Sequence, residues 1–163
     1  MTHTSCTLQT GIAIMTVQTA IPVNPIYSFV GLREQEMSPH ALLDQIEKGI
    51  PVAGVRKLAE FLFPDAGNRA VEHLVSRSTI ERIKRSRTPR FSRAATEQIY
   101  PVIKVTAKAM ELYPGEPEKA VRFLQKPHAM LGGLAPLELA RRSGAGADMV
   151  MDMFNRIQAG LAV

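Results

Sequence analysis

From Met37 onward, apolar residues recur every three or four positions, the period of helices with one buried face. Ser38-Pro39 reads as an N-cap followed by a proline at the first helical position. Leu42, Leu43, Ile46 and Ile50 then line one side until Gly49 and Pro51 stop the run. Val55, Leu58, Ala59 and Leu62 mark a second helix ending at Pro64, and Asn68 to Val75 predicts a short third with Ala70, Val71 and Leu74 inward. Ser78 caps a fourth helix, Thr79 to Arg87, on which only Ile80 and Ile83 read as buried. Ser92 opens a long helix carrying Ala95, Ile99, Val102, Thr106, Ala109 and Tyr113, the alternating spacing of a helix–helix seam. Pro101 should kink or interrupt it. Glu116 to Gln125, a short helix around Leu137 to Arg142, and Ala147 to Ala159 complete the set.

The pattern before Met37 is different. Residues 1–36 are poor in charge and rich in Thr, hold Pro22 and Pro25, and show no helical period. They read as a flexible arm, with a short strand near Ile12 to Val17. No useful β-alternation follows, so the expected fold is all-α: the arm at 1–36, a helical domain at 37–113 and a smaller one at 114–163.

Apolar residues at 45% support a real core, and aromatics at 6% with no Trp favour aliphatic helix packing. The single cysteine, Cys6, allows neither an internal disulfide nor a cysteine zinc site, and a reducing cytoplasm is the expected compartment. No apolar run reaches the roughly 18 residues that span a bilayer. The first residues carry no basic cluster ahead of an apolar run, so no secretory leader is expected. His3, His40, His73 and His128 lack metal-ligand spacing with carboxylates, and Gly132-Gly133 follows no strand and so makes no phosphate loop. The reading is a binding protein with no metal, no cofactor and no catalysis of its own.

Charge is concentrated in one place. Residues 1–75 carry net −2 and residues 94–163 net +1, while residues 76–93 carry +6. That short segment holds Arg77, Arg82, Lys84, Arg85, Arg87, Arg90 and Arg93 against Glu81 alone. Such a run is either a solvated surface patch or an element that grips a polyanion, since each neutralised phosphate releases counterions. Two short helices separated by Ser76-Arg77-Ser78 have the dimensions of a helix-turn-helix. Arg82 and Arg85, one turn apart and flanked by Lys84, are placed to reach guanine edges or phosphates. Ser78 and Thr79 sit where a helix N-terminus favours a phosphate. Arg87, Arg90 and Arg93 would track the backbone, and Arg77 joins the expected DNA-binding set.

Further on, Phe123-Leu124 ends a helix, Pro127 to Gly132-Gly133 makes a turn, and Pro136-Leu137-Glu138-Leu139 opens the next helix. With Gly144-Ala145, Val150, Arg156-Ile157 and Gly160 following in order, this run resembles the toxin-binding region of the Xre/MbcA/ParS antitoxin family. The resemblance extends back through Ser78-Thr79-Ile80-Glu81-Arg82, similar to an Xre-like recognition helix, and covers about residues 40 to 163. It implies a type II antitoxin that covers the active site of a RES-domain toxin, which consumes NAD or transfers ADP-ribose. It also implies repression of the antitoxin's own operon. The toxin would be held by Pro127, His128, Leu131, Gly132, Gly133, Pro136, Met149, Met153, Arg156 and Gly160, with the tail Leu161-Ala162-Val163 entering the toxin cleft behind a terminal carboxylate. Met149 and Met153, one turn apart, suit either extra core or a partner surface. A palindromic operator would require a homodimer within a larger toxin–antitoxin complex, with the long helix after Ser92 as a candidate pairing element. The competing reading is a stand-alone helix-turn-helix regulator with a different C-terminal partner.

Overall fold

The structure, a computed structural model, describes residues 25–160 of the 163. Among the described residues every regular element is helical. In order they are α1 (Pro25–Val30), a 3-10 turn (Glu34–Glu36), α2 (Pro39–Lys48), α3 (Val52–Leu62), a 3-10 stretch (Pro64–His73) and α4 (Arg77–Arg85). Then come α5 (Arg93–Leu112), α6 (Pro117–Gln125), a 3-10 turn (Ala129–Leu131), α7 (Pro136–Arg142) and α8 (Gly144–Gln158). Four serines start four of these helices. Ser38, Ser76, Ser92 and Ser143 each accept the amide of the third helical residue, at 3.1, 3.3, 3.4 and 3.0 Å. Each such cap stabilises its helix by about 1 kcal/mol.

α5 is the spine. It packs against α1, α2, α6, α7 and α8. Between Val102 and Ala109 only Lys104 and Lys108 reach solvent, where they pair with Asp148 and Glu111, each at 3.2 Å. The expected seam residues from Ala95 to Ala109 are therefore interior to a single chain and Tyr113 is half-buried, while Arg93, Ala94, Glu97 and Gln98 at the start of the helix are exposed. Ile103, Val105 and Ala107, off the seam but equally apolar, are what enclose it on its other sides. Pro101 does not interrupt the helix, which runs unbroken from Arg93 to Leu112.

Four further expectations are corrected. The last dozen residues assigned to the arm belong to the fold: α1 buries Phe29 and Val30, Leu32 follows them into the core, and the Phe29 ring lies 6.3 Å from Phe61. Six residues are too few to show a helical period. Asn68 to Val75 is not an α-helix, because Gly67 reverses the chain at φ 51°, ψ −130°, a conformation that glycine adopts readily. Leu43 is 59% exposed, with Leu42 and Ile46 half-buried beside it, while Ile50 is fully buried beyond the end of α2. α8 begins at Gly144, about one turn before the expected start, under its Ser143 cap. The remainder of the arm, including the strand read at Ile12 to Val17, His3 and Cys6, lies outside the described residues.

One hydrophobic cluster runs from Phe29 to Phe154, so the two expected helical domains share a core. Gln125 Nε2 donates to Leu62 O at 2.7 Å where α6 meets α3. α7 and α8 approach closely because residue 146 is glycine: a Cβ there would lie 2.2 Å from Leu139 O. Within this core Thr106 is fully buried and its Oγ1 has no hydrogen-bond partner. An unmatched buried hydroxyl costs roughly 1–3 kcal/mol, and an apolar group of the same shape removes that cost. Thr106→Val is therefore expected to raise the urea midpoint by an amount worth about 1 kcal/mol. A lower midpoint would show that the hydroxyl is satisfied in the folded protein.

Candidate binding faces

The basic segment does not present all its charges. α4 starts at Arg77 rather than Thr79, capped by Ser76 instead of Ser78, and ends at Arg85. The Ser76 hydroxyl also contacts Ser78 Oγ at 3.0 Å and Thr79 Oγ1 at 2.9 Å, so these three hydroxyls form one cluster at the helix start. Lys84 bonds Glu81 at 2.9 Å, and that hydrogen bond, reinforced by the lysine's charge, holds the Glu81 carboxyl below its ordinary range. Arg93 pairs with Glu97 at 2.9 Å. Arg90, expected on the nucleic-acid backbone, instead turns inward: its Nε donates to Gly49 O at 2.8 Å and its guanidinium donates to Gln45 Oε1.

Four guanidinium groups remain. Arg77, Arg82, Arg85 and Arg87 are exposed and make no ion pair or side-chain hydrogen bond among the described residues, although the charge of Arg85 also helps to lower the Glu81 carboxyl. Arg82 and Arg85 lie in the last turn of α4, where cations interact favourably with the helix dipole. α4 has no fully buried residue. Its inward side chains, Ile80 and Ile83, are half-buried over a cleft of about 310 Å³ that Val52 and Val71 also line. The helix thus rests on the body rather than in it, with its cations outward.

In the C-terminal part, an aromatic cluster ties the elements together. Phe123 sits 5.8 Å from Tyr113, 5.3 Å from His128 and 5.6 Å from Phe154, between ring centroids. The turn after it closes on itself: His128 N–H donates to Leu134 O at 3.1 Å and Gly133 N–H donates to His128 O at 3.0 Å. Gly132 and Gly133, at φ +65° and +81°, are exposed, as is Pro127. The His128 ring is half-buried and its Nδ1 has no partner.

Three of the residues expected to touch a partner are in the protein's own core. Leu131, Pro136 and Met153 are buried, Met153 to 2% exposure. The reason for Met153 is geometric: it follows Val150 by one turn of α8, so it shares that helix's inward face. Met149 is the opposite case at 54% exposed. It lines a small depression of about 160 Å³ together with Met130, 38% exposed, over a floor that includes Leu131 and Met153 and beside Asp152 and Arg156. Met130 was not anticipated; its place next to the Gly-Gly turn was the only signal in the sequence. Gly160 is exposed at the end of α8, and Leu161, Ala162 and Val163 lie outside the described residues.

A larger groove, about 720 Å³, runs between the end of α3 and α6, and no expected site residue lines it. Among the described residues no group of His, Cys, Asp or Glu could hold a metal ion, and no helix is long and apolar enough to cross a membrane.

No curated protein matches the chain. Residues 108–160 do match a family model, that of the antitoxin Xre/MbcA/ParS C-terminal toxin-binding domain. The match begins in the second half of α5 and takes in α6, the Gly-Gly turn, α7 and α8, so it contains the Phe123 cluster and the Met130–Met149 depression. It supports an antitoxin role with a toxin as partner, and residues 108–160 are the part of the chain that is similar to that C-terminal toxin-binding domain.

Proposed function

We propose that the chain is a non-catalytic, cytoplasmic antitoxin that neutralises a RES-domain toxin by covering its active site and represses its own operon through α4. The observation that carries the reading is the family match over residues 108–160. Within that span the contact surface is the exposed set around the depression: Met130, Met149 and Arg156, with Gly132, Gly133 and Gly160 at its margins; Leu161, Ala162 and Val163, which follow the span, would enter the toxin cleft. Methionine suits this role because its flexible, polarisable side chain adapts to a partner surface.

The repressor half of the reading rests on Arg77, Arg82, Arg85 and Arg87, four exposed cations on and just after one short helix that form no ion pair among the described residues. Ser78 and Thr79 would meet a phosphate at the helix start. A two-fold operator requires two copies of the chain. The expected seam of α5 is buried, so a homodimer would pair through other residues, the exposed start of that helix among them.

The product of the adjacent reading frame is the test partner. Cells making it alone should stop growing, and co-expression of this chain should restore growth; equal arrest in both cultures would refute the antitoxin role. Met149→Asp is expected to weaken the complex with that toxin by at least about tenfold while leaving the circular dichroism unchanged, because a carboxylate is placed in a desolvated contact. Undiminished affinity would show that the depression is not the contact.

For the operator, the DNA upstream of the gene serves as ligand. Arg82→Ala with Arg85→Ala should reduce the slope of log K against log salt by about 0.9 for each phosphate that is no longer neutralised. An unaltered slope and affinity would mean that α4 is not the DNA-contacting helix.

A further inference from the structure

The connection from α4 to α5 is fastened to the body at one point. Val52 N–H donates to Pro89 O and Phe91 N–H donates to Ile50 O, both at 2.9 Å. The two stretches touch backbone to backbone: a Cβ on Gly49 would lie 1.9 Å from Phe91 O. Ile50 N–H in turn donates to the buried Thr96 Oγ1 at 3.0 Å, which ties the junction to α5. Across this junction lies the Arg90 side chain, with Nε on Gly49 O at 2.8 Å and the guanidinium on Gln45 Oε1 of α2.

The free end of the connection is ordered from within. Thr88 N–H donates to Ser86 Oγ at 3.2 Å and Arg90 N–H donates to Thr88 O at 2.8 Å. Arg87 therefore sits between an α4 that is held only by half-buried isoleucines and a junction that is held by several hydrogen bonds. The junction is the firmer of the two restraints. The acceptor is also chosen to keep charge: glutamine holds a guanidinium without neutralising it, so the segment retains its positive field.

We propose that Gln45 and Arg90 form a latch that positions Arg82, Arg85 and Arg87 for a DNA duplex while touching no DNA themselves. The latch rests on the reading of α4 as a DNA-binding helix. Gln45 is uncharged and lies on α2, so its effect on DNA is transmitted wholly through Arg90.

The test uses the full chain and a fluorescently labelled duplex from upstream of its gene. Gln45→Met should weaken binding about tenfold, the factor that one charge-assisted hydrogen bond corresponds to, with the salt slope unchanged. Arg90→Met combined with Gln45→Met should be no weaker than Arg90→Met alone, because the two side chains act as one unit. Amide exchange gives a readout without DNA: the Val52 and Phe91 amides should exchange faster in Gln45→Met and stay protected in Gln45→Glu, which keeps the acceptor. Affinity within about twofold of wild type, a slope reduced by about 0.9, or unchanged amide exchange would each overturn the latch. A wild-type chain that ignores the duplex would overturn the DNA reading and the purpose of the latch together, while the exchange data would still report whether the latch exists.

Discussion

The burial of α5 governs the rest of the molecule. Nine of its residues are buried, and five of the other α-helices lean on it. From Val102 to Ala109 α5 is apolar on all sides but the one that carries Lys104 and Lys108, so this stretch must be covered by its neighbours. Burying side chains such as Ile103 and Val105 stabilises the fold by about 1.5–3 kcal/mol each, more than any exposed ion pair contributes. Because the coverings come from both ends of the chain, the basic helix and the toxin-binding domain are fixed to one body. Away from α5, Gly49, Gly54 and Gly146 let neighbouring backbones approach, since a Cβ at any of them would lie within 2.2 Å of Phe91, Phe29 or Leu139 O.

What is left outside that core is informative by contrast. α4 contributes no fully buried residue, and its outward face holds cations that outnumber its one carboxylate, Glu81. Lys84, Arg90 and Arg93 are already occupied by Glu81, Gln45 with Gly49, and Glu97. The charge that the composition gives the segment is therefore larger than the number of groups free to meet a partner. At the other end, Met130 and Met149 are large apolar side chains left in water beside one another, within the residues that are similar to an antitoxin toxin-binding domain. Each face departs from the rule that governs the core, and each is assigned a partner for that reason.

Much of this is legible in the residue pattern. Serine caps, N1 prolines and three-four spacing locate α2, α3, α5, α6 and α7, and the helix-turn-Gly-Gly-helix run points to the family. The failures have physical causes. α1 is too short to show a period, and Gly67 breaks a stretch whose apolar spacing alone reads as helix. The spacing on α5 reads as a single helix–helix seam because it takes no account of the apolar residues between its members. Met153 and Met149 differ by one turn of helix, yet the first falls on the Val150–Phe154 face and the second does not. Arg90 could not be told from its neighbours, because its partners are 41 and 45 residues away.

The central claim is that two separate faces of one body serve two partners. Amide exchange of the full chain, alone, with its co-expressed toxin, and with the duplex upstream of its gene, tests this directly. The toxin should slow exchange around Ala129 to Leu131 and along the exposed side of α8, leaving α4 unaffected; the duplex should slow exchange from Arg77 to Arg87 and leave α8 unaffected. Protection of α4 by the toxin, or of α8 by the duplex, would contradict the account.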